Sequence, residues 1–144
     1  MLKNVPSVIS PAMLKALSEM GHGDTLVLAD SNFPSESVGK NCQVIRCDGF
    51  PIPQLLDAIL TMLPLDTYVE KPVSFMQVMP GDPVETPIWA EYEAIIQKHN
   101  AGKTDLVGQV ERFAFYEKAA AAYLIIATGE TALYGNIILQ KGTL

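Results

Sequence analysis

The strongest constraint on the fold is the alternation of short apolar segments with amphipathic segments along the whole chain. Apolar, partly β-branched runs predict strands at 25–29, 43–47, 74–79, 123–128 and 136–141, with a further extended stretch at 108–112. Helical spacing and capping residues predict helices at 11–20, 53–63, 87–100 and 113–122. This alternation indicates an α/β fold in which helices cover both faces of a mostly parallel sheet.

The chain has 144 residues, which suits one domain with one continuous core. We therefore predict a single domain over residues 1–144, built as a three-layer α/β/α sandwich. The sheet is expected to be mixed, because the last two strands could form an antiparallel pair.

Charge and composition exclude several classes of partner. The formal net charge is −6, and the ten Lys and Arg residues are scattered, so no basic stripe is available for nucleic acid. Charged residues and prolines interrupt the N-terminus, which is unlike a signal peptide, and the apolar run at 119–127 is too short to span a bilayer. We expect no nucleic-acid partner and no membrane segment.

The sequence contains no pattern typical of a cofactor or metal site. It lacks a GxGxxG turn, a P-loop and a GxSxG elbow, and its two histidines and two cysteines are too few for a metal centre. The spacing of Cys42 and Cys47 fits neither a CxxC pair nor a zinc-ligand pair, which indicates reduced thiols in the cytoplasm. We expect neither a cofactor nor a metal.

His22 is the first candidate for chemistry. It lies in the turn Gly21-His22-Gly23-Asp24, where flanking glycines leave the imidazole accessible. An accessible imidazole suits general acid–base catalysis. From spacing alone it could equally be a solvated residue of the turn. The other histidine, His99, ends a predicted helix and fits a capping role better.

Asp30 directly follows the predicted strand at 25–29. In open α/β sheets, ligands gather where loops leave the carboxyl ends of strands, so a carboxylate there is a good functional candidate. The alternative is a turn-forming Asp that accepts hydrogen bonds from nearby backbone amides. Its position soon after His22 makes joint action of the two residues possible.

Arg112 opens the aromatic segment Arg112-Phe113-Ala114-Phe115-Tyr116. Its guanidinium could hold sugar hydroxyls through its several donors. Equally, Arg112 could be a surface residue that pairs with Glu111 or Glu117. Phe113, Tyr116 and Tyr123 are predicted to pack in the core, with the phenol of Tyr116 as the best exception.

The segment 128–136 is more polar than a tight hairpin requires. Asn136 offers a donor and an acceptor, and the hydroxyl of Tyr134 can donate, accept or relay a proton. Both side chains could point into one pocket, or the segment could be an ordinary Gly-Asn turn.

Four blocks taken together resemble the RbsD/FucU sugar mutarotases: GHGDTLVLADSNFP at 21–34, VIRCDG at 44–49, RFAFYE at 112–117 and TGETALYGNIILQKG at 128–142. The likeness runs along nearly the whole chain and is weakest at 68–108. Arg112 before the aromatic block places the chain with the fucose branch of the family.

The resemblance implies a cofactor-free isomerase that interconverts the α and β anomers of L-fucose. By that resemblance His22 is the catalytic residue, Asp30 and Arg112 bind the sugar, and Tyr116 could assist. The segment Tyr134, Gly135 and Asn136 would also bind the sugar. The family further implies a homo-oligomer, often a decameric ring, with a neighbouring subunit helping to close each site.

Mutarotation requires one proton to leave the anomeric hydroxyl and one to reach the ring oxygen, so general acid–base catalysis suffices without a metal. Three alternatives stay open at this point. The first is a pyranase or mutarotase for another sugar, such as ribose. The second is a protein that binds a sugar without catalysis, and the third is a purely structural subunit.

Overall fold

The computed structural model describes all 144 residues as six strands and five helices that form one layered α/β unit. The strands are β1 (Thr25–Ala29), β2 (Gln43–Cys47), β3 (Val73–Met76), β4 (Val107–Val110), β5 (Leu124–Thr128) and β6 (Ile137–Gln140). The helices are α1 (Pro11–Glu19), α2 (Ser35–Val38), α3 (Ile52–Leu60), α4 (Ile88–His99) and α5 (Arg112–Ala120). The predicted three-layer α/β/α fold is confirmed.

The six strands form one sheet in the order β2-β5-β1-β6-β3-β4. Five strands run in the same direction, and β6 is antiparallel to both of its neighbours, β1 and β3. The mixed sheet is therefore confirmed, but β5 and β6 do not pair with each other as the sequence suggested. β1 lies between them, so the segment that joins them is a crossover and not a hairpin loop.

Each face of the sheet packs against its own layer of helices. Inward-facing β-strand residues such as Leu26, Leu28 and Ile126 share one core with α1, α3 and α4. Alternate residues such as Val27 and Ile125 face the second core, which α5 covers with Phe115 and Ala119. This alternation follows from the two-residue period of a strand, and it fixes the register of the whole sheet.

Side-chain caps fix where helices α1 and α5 begin. Ser10 caps α1 by accepting a hydrogen bond from the amide of Met13, as its sequence position predicted. Glu111 caps α5 by accepting from the amides of Phe113 and Ala114. This cap makes Arg112 the first residue of a helix, whereas the sequence indicated an extended conformation there. Phe113 is 64% exposed, so its predicted core packing is wrong.

The parallel strands bring five loops to a single edge of the sheet. β1, β2, β3, β4 and β5 all end there, and β6 begins there, which places every loop that follows a parallel strand on the same side of the molecule. We call this side the carboxyl edge. None of the helices is long and apolar enough to cross a membrane.

Candidate active site at the carboxyl edge of the sheet

The carboxyl edge contains a cavity of about 280 Å³ that gathers most of the residues singled out from the sequence. We call it the carboxyl-edge pocket, and its lining consists of Asp30, Asn32, Phe33, Met76, Asp82, Arg112, Tyr116, Leu133, Tyr134 and Asn136. Cavities for drug-sized ligands usually span about 300–1,000 Å³. A pocket just below that range, with many polar groups, suits a small polyhydroxylated molecule.

Asp30 lies at the buried end of this pocket, directly after β1. Its carboxylate accepts a hydrogen bond from the amide of Asn32 at 3.0 Å, and its own amide donates to Oδ1 of Asn136 at 2.7 Å. Burial raises the pKa of the carboxyl group, although nearby amides partly oppose this effect. The group therefore holds a proton more readily than an exposed aspartate would.

The segment Tyr134-Gly135-Asn136 enters β6 along one wall of the pocket. Tyr134 has a left-handed backbone with a φ of 55°, which is rare for a residue with a side chain. Its hydroxyl donates to Asp82 at 2.6 Å and accepts from the amide of Met79 at 3.3 Å. Asp82 raises the pKa of Tyr134 through this hydrogen bond. The hydroxyl proton of Tyr134 is therefore already used in a hydrogen bond to the carboxylate of Asp82.

Arg112 supplies a cation to the pocket without a carboxylate partner. No acidic side chain forms an ion pair with it, so the predicted alternative of pairing with Glu111 or Glu117 is wrong. Its Nε lies 3.4 Å from the hydroxyl of Tyr116, and its guanidinium carbon lies 5.6 Å from the centre of that ring. Arg112 therefore keeps most of its donors free for a ligand.

His22 lies at the opposite edge of the sheet from the other predicted site residues. His22 precedes β1 and Asp30 follows β1. The five residues of β1 alone extend about 16 Å. Within one chain the structure therefore does not bring His22 to the carboxyl-edge pocket. The side chain is accessible, with 43% of its surface exposed, and Gly23 takes the left-handed φ of 85° that the turn requires.

Asp66 is the partner of His22, and the sequence analysis missed it. Nε2 of His22 lies 3.1 Å from Oδ1 of Asp66, a buried carboxylate that also accepts from the amide of Tyr68 and from the side chain of Gln140. These donors, led by the amide of Tyr68, lower the pKa of Asp66. The group is therefore ionised at neutral pH and holds the imidazole in place.

The ionised carboxylate of Asp66 decides which nitrogen of His22 is free. A carboxylate can only accept hydrogen bonds, so Nε2 must carry the proton that lies between the two residues. Nδ1 is then the basic nitrogen, and the half-exposed ring can offer it to a molecule outside this chain. The ring of Tyr68 lies 5.1 Å from that of His22 and is itself 78% exposed.

A second, larger crevice of about 590 Å³ adjoins Asp30 on its other side, between the ends of β1, β2 and β5. Its one cation is Arg46, which is already paired with Glu36 and Asp48. Of the predicted site residues, only Asp30 reaches this crevice. The carboxyl-edge pocket, which also holds a free cation, is therefore the better candidate site.

Comparison with known proteins gives the family of the chain. Residues 3–144 match the family model described as the RbsD / FucU transport protein family. The chain belongs to the RbsD/FucU family. This family member is 53% identical to a human protein named fucose mutarotase, over 99% of this chain and 94% of the relative.

Two solved structures of RbsD/FucU proteins share nearly the whole fold with this family member. FucU from Bifidobacterium longum is 55% identical, with a TM-score of 0.96 and coverage of 99% of both chains. A fucose mutarotase from Streptococcus pneumoniae, solved in complex with L-fucose, is 49% identical, with a TM-score of 0.92 and coverage of 99% of both chains. The fold of this RbsD/FucU protein is thus the fold of its relatives throughout.

Proposed function

We propose that the protein is an L-fucose mutarotase, an isomerase that interconverts the α and β anomers of L-fucose by acid–base catalysed opening and closure of the ring. One observation carries this proposal. A monosaccharide-sized pocket joins Asp30, Arg112, Tyr134 and Asn136, in a chain that is 49% identical to a fucose mutarotase solved with L-fucose. The arrangement of donors and acceptors in that pocket suits a polyhydroxylated ring.

The sugar is held by complementary polar groups in this proposal. The guanidinium of Arg112 donates to hydroxyl oxygens, and the carboxyl group of Asp30 accepts from hydroxyl groups. Asn136 has its Oδ1 engaged by the amide of Asp30, so its side-chain NH₂ remains available as a donor. Tyr134 and Gly135 complete the wall beside it. These groups bind and orient the ring without taking part in bond breaking.

The reaction needs two proton transfers around one bond. A base removes the proton of the anomeric hydroxyl, the bond between the anomeric carbon and the ring oxygen breaks, and an acid protonates the ring oxygen. The open aldehyde then rotates and closes on its other face by the reverse steps. General acid–base catalysis contributes roughly 10²- to 10⁴-fold, which suits a reaction that already proceeds in water.

His22 is assigned to the anomeric proton, through the Nδ1 that Asp66 leaves free. Because His22 and the carboxyl-edge pocket lie at opposite edges of one chain, the His22 that acts on a bound sugar must belong to a neighbouring copy. Such a contact joins two different surfaces, and repetition of a contact of this kind closes a ring when the rotation between successive copies divides a full turn. The need for a second copy supports a homo-oligomer. We propose specifically a decameric ring.

Tyr116 is a better candidate than Tyr134 for the second proton transfer. The hydroxyl of Tyr134 donates its proton to Asp82, whereas the hydroxyl of Tyr116 accepts from Arg112 and keeps its own proton free. We therefore assign protonation of the ring oxygen to Tyr116.

The two free cysteines, Cys42 and Cys47, fit the reducing cytoplasm that we propose as the site of action. Each has its pKa raised, mainly by burial, which makes both thiols less reactive than exposed ones. Neither thiol lines the carboxyl-edge pocket.

Exchange NMR tests the proposed function directly. The rate at which α- and β-L-fucose interconvert is measured without protein, with the wild-type chain, and with a His22→Ala variant shown by circular dichroism to be folded. The wild type should exceed the spontaneous rate, and the variant should lose most of that excess. A wild-type rate equal to the spontaneous rate would overturn the proposal.

The same experiment, with binding measured beside it, separates two of the alternatives from an L-fucose mutarotase. A ribose-type mutarotase would accelerate exchange of D-ribose more than that of L-fucose. A non-catalytic sugar-binding protein would give saturable binding of L-fucose while leaving the rate of exchange unchanged.

A further inference from the structure

Two aromatic donors on α4 reach two successive carbonyl groups of the sugar-site segment. The indole Nε1 of Trp89 donates to the carbonyl of Tyr134 at 2.9 Å, and the hydroxyl of Tyr92 donates to the carbonyl of Gly135 at 2.9 Å. The two side chains are three residues apart, so they lie on the same face of the helix. Both pack against Phe75 of β3, with ring centroids 5.3 and 5.8 Å away.

The two carbonyls need these donors because neither belongs to the hydrogen-bond ladder of the sheet. Tyr134 and Gly135 precede β6, so they take no part in the ladder between β6 and its neighbours. A buried carbonyl without a donor costs free energy. The left-handed backbone of Tyr134 adds strain that surrounding contacts must hold. Trp89 and Tyr92 supply such contacts.

The space around Gly135 shows how closely the segment is held. A Cβ atom at this position would lie 2.9 Å from the carbonyl oxygen of Ala132 and 3.4 Å from the hydroxyl of Tyr92. Tyr92 itself is fully buried, and burial raises the pKa of its phenol, so the hydroxyl remains a hydrogen-bond donor at all ordinary pH values.

We infer that Trp89 and Tyr92 are positioning residues of the sugar site, which fix the backbone of Tyr134 and Gly135 so that Asn136 meets Asp30. The link continues from Gly135 to the next residue, because Oδ1 of Asn136 accepts from the amide of Asp30. Neither α4 residue lines the carboxyl-edge pocket. The inference rests on the proposed function, since it concerns the binding of the same sugar.

Positioning of this kind predicts a particular kinetic signature. Trp89 and Tyr92 hold groups that bind the sugar, whereas the groups assigned to proton transfer, His22 and Tyr116, lie on other elements. Loss of one hydrogen bond should therefore weaken binding by about two- to tenfold, the range for a single neutral hydrogen bond. KM for L-fucose should rise by that factor, and kcat should change much less.

Tyr92→Phe removes the hydroxyl and keeps the ring. Binding of L-fucose is followed by the fluorescence of Trp89, the single tryptophan of the chain, and kcat and KM are measured by exchange NMR. Tyr123→Phe is the matched control, because it removes a hydroxyl that bonds to Glu19 on α1, away from the pocket. We expect Tyr92→Phe to raise Kd and KM together and Tyr123→Phe to leave both at wild-type values.

Trp89→Phe is the second variant, in case Tyr92→Phe does not fold, and its kinetics are measured by exchange NMR alone. It keeps a ring against Phe75 and removes the indole donor together with part of the ring volume. A lower melting temperature with unchanged KM, or a loss of kcat at constant KM, in a folded variant would overturn the inference. An inactive wild type would overturn the proposed function and this inference with it, whereas an active wild type with unaffected variants contradicts the inference alone.

Discussion

Nε2 of His22 lies 3.1 Å from Oδ1 of Asp66, and the carboxylate that makes this contact is almost fully buried while the imidazole is half-exposed. The pairing orients the ring through Nε2, and Nδ1 has no hydrogen-bond partner within this chain. In the mechanism that we propose, Asp66 is a positioning residue that acts through His22 and does not line the carboxyl-edge pocket of its own chain. In that mechanism it would also stabilise the imidazolium formed when Nδ1 takes a proton.

Asp66→Asn should lower kcat for L-fucose exchange by about tenfold or more, and by less than His22→Ala, since general acid–base catalysis contributes roughly 10²- to 10⁴-fold in all. An asparagine amide can donate to Nε2, which favours the tautomer with the proton on Nδ1. KM should change little. The measurement is exchange NMR at several fucose concentrations. A variant with wild-type kcat would show that the tautomer of His22 is not set by Asp66.

Asp30→Asn should stabilise the protein at neutral pH. Burial raises the pKa of Asp30 in the folded state, so the folded chain binds this proton more tightly than the unfolded chain. The wild type therefore loses stability as pH rises from the ordinary carboxyl pKa, near 4, to the raised folded-state value. Asparagine still accepts from the amide of Asn32 and has no such loss.

Urea unfolding at a series of pH values checks this prediction for Asp30. The difference in unfolding free energy between variant and wild type should grow in favour of the variant as pH rises, and then become constant. A difference that favours the wild type at neutral pH would contradict the assigned effect of burial.

Arg112→Gln should weaken binding of L-fucose by about tenfold or more, because hydrogen bonds to a charged group are worth more than neutral ones. Its melting temperature should stay close to that of the wild type, since Arg112 forms no ion pair. The matched control is Arg46→Gln, which removes an exposed arginine outside the carboxyl-edge pocket. Fluorescence titration gives Kd for each. Equal affinities for both variants would exclude Arg112 from the sugar site.

Gly135→Ala should lower stability by about 1–3 kcal/mol and weaken sugar binding, because the added methyl group meets backbone that cannot easily move. The contacting atom is the carbonyl oxygen of Ala132, 2.9 Å from the new Cβ. Gly49→Ala is the control, since a Cβ there meets nothing within 4 Å. Thermal unfolding and sugar titration are measured for both variants. Equal melting temperatures and equal sugar affinities would contradict the close fit described for Gly135.

Local sequence pattern predicted most of the strands and helices, because the residue types and hydrophobic spacing of each segment favour the secondary structure that it forms. β1 and β2 coincide with their predicted ranges, and the remaining strands differ by one to three residues at their ends. The short helix α2 was missed, since four residues are too few to show a helical period. The place of β6 between β1 and β3 was also missed, because strand order depends on packing between distant segments.

Part of the site was also predicted, because local pattern places several of its residues beside the ends of strands. Asp30, Arg112, Tyr134 and Asn136 each lie beside the end or start of a strand, so parallel strand order brings them to one edge. His22 was expected to act jointly with Asp30, yet the strand predicted between them already requires opposite edges. Asp66 lies outside the four blocks that carry the family resemblance, and its burial as a charged residue is visible only in the structure.

The central claim is that each site takes its sugar-binding groups from one chain and His22 from another, and subunit mixing tests it most directly. His22→Ala and Arg112→Gln variants are co-refolded in equal amounts. Exchange of L-fucose is then measured by NMR for each variant alone and for the mixture, at a fucose concentration well below the wild-type KM, where the weaker binding of Arg112→Gln leaves it little activity of its own. Random assembly should restore intact sites at about a quarter of interfaces, because each interface draws one half from each of two chains. Recovery of about a quarter of wild-type activity is the result we predict. A mixture no more active than the average of its two components would contradict a site shared between chains.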